Sequence, residues 1–151
     1  MGSFIKIYSV LLLLLLAVGC DKKEIGYLMT EDASYAVDQL TIVRLDTVTA
    51  ENNYRLYNLY QVRIDNKSPW VTSPIEGILG TGPMYFFIDH VKVIGKGDAA
   101  IFSKEVSMMG GGRLVFPFSY TSPQGLYAVS IRVENEGYSK VLEDAFYVSI
   151  E

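Results

Sequence analysis

The sequence predicts an all-β protein: a single antiparallel β-sandwich of seven to eight strands. Three observations predict it. Apolar residues recur at every second position and nowhere at helical spacing, glycine- and proline-rich punctuation separates the runs, and no stretch of about 35 residues repeats, which excludes a solenoid. Strict alternation places one strand face in a core and the other in water, as antiparallel sheets do.

In chain order, the first strand is expected at 35–45. At 55–65, Tyr60, Val62 and Ile64 share one face while Gln61, Arg63 and Asp65 share the other, with Tyr57 outward beside Arg63. Strands follow at 71–78, 84–94, 100–108 and 113–119. Two stretches, "MYFFIDHVKVI" (84–94) and "GRLVFPF" (112–118), are apolar on both faces and read as central or partner-covered strands. At 126–134, Tyr127, Val129, Ile131 and Val133 alternate with Ala128, Ser130, Arg132 and Glu134; at 142–150, Phe146, Val148 and Ile150 alternate with Tyr147 and Ser149. The reversals fall at Asp65–Pro69, Gly80–Pro83, Gly95–Asp98, Gly110–Gly112, Ser122–Gly125 and Asn135–Gly137, where glycine supplies positive φ and proline fixes φ.

Ahead of this domain, Lys6, the apolar run Ile7–Leu16 and the small residues Ala17 and Gly19 follow the charged, apolar, small order of a secretory signal. The run is about a dozen residues, short of the ~20 a bilayer-crossing helix needs. The only cysteine, Cys20, closes it. The division is therefore 1–19 signal peptide, 20–32 lipidated tether and 33–151 β-sandwich domain. Removing 1–19 keeps all 17 acidic residues and loses one of 13 basic ones, a formal charge of −5. That balance argues against nucleic acid, whose binding needs concentrated Lys and Arg.

Two resemblances extend this reading. Ala17-Val18-Gly19-Cys20 resembles a bacterial lipobox, in a looser form with Ala17 in the usual leucine position, similar to that of Bacteroidetes lipoproteins. It implies cleavage before Cys20 and acylation of its thiol, so that membrane lipid is a partner; each buried methylene adds ~0.8 kcal/mol, and two or three chains anchor stably where one does not. An acylated Cys20 leaves no disulfide, so the fold rests on its core, for which a half-apolar chain with 11 Tyr and 7 Phe is suited. "GTGPMYFFI" (80–88), "GLYAVSIRVENEG" (125–137) and "FYVSI" (146–150) resemble strands of bacterial Ig-like and cadherin-like domains. The whole resembles a small Bacteroidetes-type lipoprotein with an Ig-like sandwich. That resemblance implies an outer-membrane, surface-exposed location in the cell envelope. The chain lacks the D-x-D and D-R-E motifs of cadherins, so calcium ligation is not carried over.

Candidate chemistry is sparse. His90 is the only histidine, on the strand face shared by Ile88 and Lys92, and no second His or free Cys exists to build a metal site or triad around it. The carboxylate pairs Glu134/Glu136 and Glu143/Asp144 read as solvated rather than as a glycosidase pair. "MMGGGR" (108–113) lacks the Lys-Ser/Thr and helix of a phosphate loop and reads as a hairpin turn. No catalytic residue, metal or cofactor is expected. Aromatic rings stack on sugar faces and also fill cores, which makes Trp70 and Tyr57 the candidate ligand-binding residues, with Trp70 open to the packed alternative. Asp46-Thr47-Val48 resembles the O-glycosylation acceptor of Bacteroidetes envelope proteins and requires an exposed Thr47. The expected function is an envelope-anchored, non-catalytic binding or accessory module for surface glycan recognition or capture. The alternative is a structural interaction module docking on an outer-membrane protein complex, favoured by the doubly apolar strands.

Overall fold

The computed structural model describes residues 26–151; the signal segment and Cys20 lie outside them. In chain order the elements are β1 (Leu28–Met29), β2 (Ser34–Tyr35), β3 (Gln39–Ile42), α1 (Tyr54–Asn66), β4 (Trp70–Val71), β5 (Ile75–Glu76) and β6 (Leu79–Gly80). They continue with β7 (Tyr85–Ile94), α2 (Ala99–Glu105), β8 (Ser107–Met109), β9 (Arg113–Phe116), β10 (Gly125–Asn135) and β11 (Tyr138–Ile150). The fold is β-rich and sandwich-like. One layer is a four-stranded sheet ordered β3-β11-β10-β7; the other is a three-stranded sheet ordered β4-β9-β8 with α2, and the β1-β6 and β2-β5 ribbons complete the body.

The core lies where the alternation of β10 puts it. Tyr127, Val129, Ile131 and Val133 are all buried, as are Phe146, Val148 and Ile150 of β11. Fully burying such side chains contributes about 1.5–3 kcal/mol each. They meet Trp70, Leu114 and Phe116 of the opposite layer, with Phe102 of α2 stacked between Tyr127 (4.2 Å between centroids) and Phe116 (5.2 Å). Tyr35 packs edge-on to Phe146 at 4.8 Å and donates its hydroxyl to the Gly112 carbonyl; burial pushes that hydroxyl's pKa up, which keeps it a donor.

The sequence expectations need four corrections. The stretch 55–65 is helix, not strand: Asn53 caps it by accepting from the Leu56 amide (3.1 Å), and Lys67 closes it in the left-handed conformation. Its half-buried face runs Leu56, Tyr57, Tyr60, Arg63 and Ile64, a helical spacing, while Val62 is exposed. The stretch 100–108 begins as helix because Asp98 accepts from the amides of Ala100 and Ile101 (2.9 and 3.0 Å), and its inward residues Phe102 and Val106 lie four apart. The large sheet is mixed, since β3 pairs with β11 in parallel from Gln39↔Tyr147 to Ile42↔Ile150. Finally, β1 falls within the stretch expected as tether (20–32): Leu28 and Met29 pair with Gly80 and Leu79, so the folded body starts earlier in the chain than residue 33.

Candidate functional site

The outer face of the four-stranded sheet is open, and the registers state which side chains share it. Tyr85, Phe87, His90, Lys92 and Ile94 of β7 stand opposite Glu134, Arg132, Ser130, Ala128 and Leu126 of β10. On the other side Arg132 stands opposite Val141 of β11, and Glu134 opposite Ser139. Cross-strand partners in an antiparallel pair point to the same side.

Two bulges at one residue shape the middle of this face. Between Ser130 and Ile131 the β7 register skips Asp89, and between Val129 and Ile131 the β11 register skips Glu143, Asp144 and Ala145. Bulges re-aim side chains and are frequent beside functional sites. Here the Asp89 bulge turns Ile88 into the core and leaves His90 and Lys92 outside, so His90 does not share Ile88's face as simple alternation expects. Asp144 takes a left-handed φ of 47°, a conformation uncommon outside glycine, and its amide donates to Ser130 Oγ at 3.0 Å.

The bulges gather a charged network. His90 Nδ1 lies 2.9 Å from Asp89 Oδ2, and Nε2 lies 3.3 Å from Glu143 Oε2. Lys92 Nζ reaches Glu143 Oε2 (3.1 Å) and Asp144 Oδ1 (3.2 Å); the bonds to Glu143 and then Asp144 raise the Lys92 pKa and keep it charged. Arg132 Nε meets Asp89 Oδ1 at 3.3 Å, and its guanidinium also pairs with Glu134 and sits 4.8 Å over the Phe87 ring. Beside it the rings of Tyr85 and Phe87 are 54% and 40% exposed.

This arrangement offers flat apolar rings flanked by donors and acceptors held in place by one another, which is binding chemistry. Its central serine is enclosed. Ser130 is 0% exposed, and its hydroxyl bonds Glu143 at 3.3 Å while accepting from the Asp144 amide. Among the described residues no three His, Cys, Asp or Glu side chains gather to hold a metal ion.

The network brings together His90, Glu134, Glu143 and Asp144 of the residues considered from sequence, while the expected ligand-binding residues Trp70 and Tyr57 lie elsewhere. Trp70 is 6% exposed: Tyr60 packs edge-on to it at 5.6 Å and the Arg63 guanidinium lies 4.1 Å over its ring, so it is packed rather than offered. Tyr57 is half-buried on α1, not outward on a strand with Arg63. Its hydroxyl bonds Asp65 (3.1 Å), and that bond raises its pKa. Thr47 is exposed on the turn closed by the Val48 amide and the Leu45 carbonyl (3.1 Å). Cys20 is outside the described residues. The face formed by Tyr85, Phe87 and Arg132 was signalled by the doubly apolar "MYFFIDHVKVI", but which aromatic faced outward required the register.

No family model matches this chain, and no curated protein matches it by sequence. Among solved structures, a SusE-like surface-located polysaccharide-binding protein from the Bacteroides thetaiotaomicron heparin utilisation locus is similar over 78% of this chain at 13% identity, with a TM-score of 0.49. The match spans 15% of that protein's length.

Proposed function

We propose that this protein is an envelope-anchored, non-catalytic module that captures glycan on the open face of its four-stranded sheet. The observation carrying this reading is the strip Tyr85–Phe87–Arg132: two exposed rings on one strand face, with a guanidinium on the second and the carboxylates of Asp89 and Glu134 beside it. A pyranose lays its C–H face on such rings while its hydroxyls bond the charged rim. The engaged hydroxyl of Ser130 and the paired carboxylates of the network support binding over catalysis. In this reading Trp70 serves the fold, and Tyr57 lies away from the ligand. Acylated Cys20 ties the module to the outer membrane, and the exposed Thr47 is the acceptor for an O-linked sugar.

The test is electrophoresis of the protein through gels containing polysaccharide. Phe87→Ala and Tyr85→Ala are expected to abolish retardation while leaving the melting temperature within a few degrees of the parent, since both rings are exposed. Unchanged retardation in both variants would overturn the assignment of this face. A second reading, docking on an outer-membrane protein, is favoured by the exposed Ile94 and Val141 on the same face, because free monomers rarely leave such patches uncovered. It predicts instead that these variants lose a stoichiometric co-purifying protein with no effect on polysaccharide.

A further inference from the structure

We infer that the ligand of the open sheet face is a neutral, hydroxyl-rich glycan and that sulfated or uronic-acid polymers are rejected; this rests on the glycan reading above. Each full cation on the face is already bracketed by two acids. Arg132 lies between Asp89 and Glu134, and Lys92 between Glu143 and Asp144. The ring of His90 is itself bracketed by Asp89 and Glu143. Four carboxylates thus oppose two full cations, and no guanidinium or ammonium is left over for an incoming sulfate or carboxylate.

A polyanion must break one of these pairs and come to rest beside the acid it displaces, where like charges oppose each other. A neutral sugar meets no such obstacle. A carboxylate has about four acceptor sites, and the ion pairs leave some of them open to a hydroxyl. The Lys92 ammonium carries three hydrogens, two of which serve Glu143 and Asp144, so one remains to donate to a sugar oxygen. Adjacent donors and acceptors fixed by mutual pairing suit vicinal hydroxyls, each of which donates and accepts at once. The formal charge of the chain, −4, adds a field that keeps polyanions away.

The experiment uses the full chain in a detergent without a sugar headgroup. Retardation is compared on neutral probes (galactomannan, xyloglucan, α-mannan) and acidic ones (heparin, chondroitin sulfate, polygalacturonate), from about 20 mM to about 500 mM NaCl. The expected result is retention on a neutral probe that changes less than about twofold with salt and is lost in Phe87→Ala. Retention on an acidic probe that collapses with salt, and on no neutral one, would overturn this inference while leaving glycan binding in place. Retention on none of the six would overturn both. Glu143→Gln, which strips Lys92 of one of its two acids, is expected to gain retention on heparin at low salt; an absence of gain would count against the charge-bracketing argument.

Discussion

At the scale of single residues, the contrast between Trp70 and Phe87 is one of enclosure. Trp70 is held from both sides: Tyr60 packs on its edge, and Arg63 lies over its face while donating to the carbonyls of Ser68 and Pro69. Among the described residues its indole N–H has no hydrogen-bond partner, so packing rather than a bond holds it. Trp70→Ala is expected to cost about 3–5 kcal/mol, read as a lowered denaturation midpoint. A loss below about 1 kcal/mol would contradict its place in the core. A lone tryptophan after a proline is legible in sequence as either packed or offered. What decides is the pair Tyr60 and Arg63, which reach it from a helix that two-residue alternation had read as a strand. Phe87 was hidden for a different reason: "YFF" is aromatic at every position, and only the pairing of Phe87 with Arg132 and of Phe86 with Val133 turns its last ring outward and its middle ring to the core.

At the scale of elements, capping residues decide where helix displaces strand. Asn53 and Asp98 each cap a segment whose inward residues lie four apart, and at 55–65 that spacing is overlaid by the two-residue alternation of Tyr60, Val62 and Ile64. β10 was legible because its two-residue period runs unbroken from Tyr127 to Val133, and the end of β11 because Phe146, Val148 and Ile150 keep the same period; β7 was legible as a long apolar run. The two-residue strands were not, since a pair of residues has no period. α2 is tied to the body at its last residue. Glu105 accepts from the amide and hydroxyl of Thr121 (2.6 and 2.7 Å), from the Ser122 amide (3.1 Å) and from the Ser122 hydroxyl. Partial desolvation pushes its carboxyl up, and the hydrogen bonds from Ser122 and Thr121 together outweigh this and hold it below the usual carboxylate range. A depressed folded pKa contributes stability that is complete above the unfolded value near 4.5 and is lost as pH falls through the folded one. Glu105→Gln is therefore expected to lower the melting temperature at pH 7 and to flatten the acid limb of a stability-against-pH curve. Parallel curves for parent and variant below pH 4.5 would refute the role.

At the scale of the whole molecule, the point where the chain enters the fold matters. Tyr27 is fixed between Thr81 and Asn135: the Asn135 side-chain amide donates to the Tyr27 carbonyl at 2.7 Å and to the Thr81 carbonyl at 3.1 Å. This is the β10–β11 hairpin end of the sheet, the same end at which Tyr85 stands opposite Glu134. From Cys20 to Gly26 six residues reach about 20 Å at full extension. The proposed acylation of Cys20 would thus hold the ring-bearing end of the open face close to the bilayer. Cys20→Ala is expected to shift the protein from the detergent-extracted envelope fraction to the soluble one, measured by fractionation and immunoblot; retention in the envelope would exclude lipid attachment. The sandwich class was legible because alternation and turn chemistry survive without tertiary context. The open face was not, because it depends on extra residues in two neighbouring strands meeting at a third. Those paired insertions around Ser130 also key the central strand to its seat. Sliding β10 by two positions, the smallest move that keeps Tyr127 and Val129 inside, would require both neighbours to relocate their kinks together. Register is thereby specified twice over at one residue, by the pattern of inward side chains and by the matched insertions that flank it.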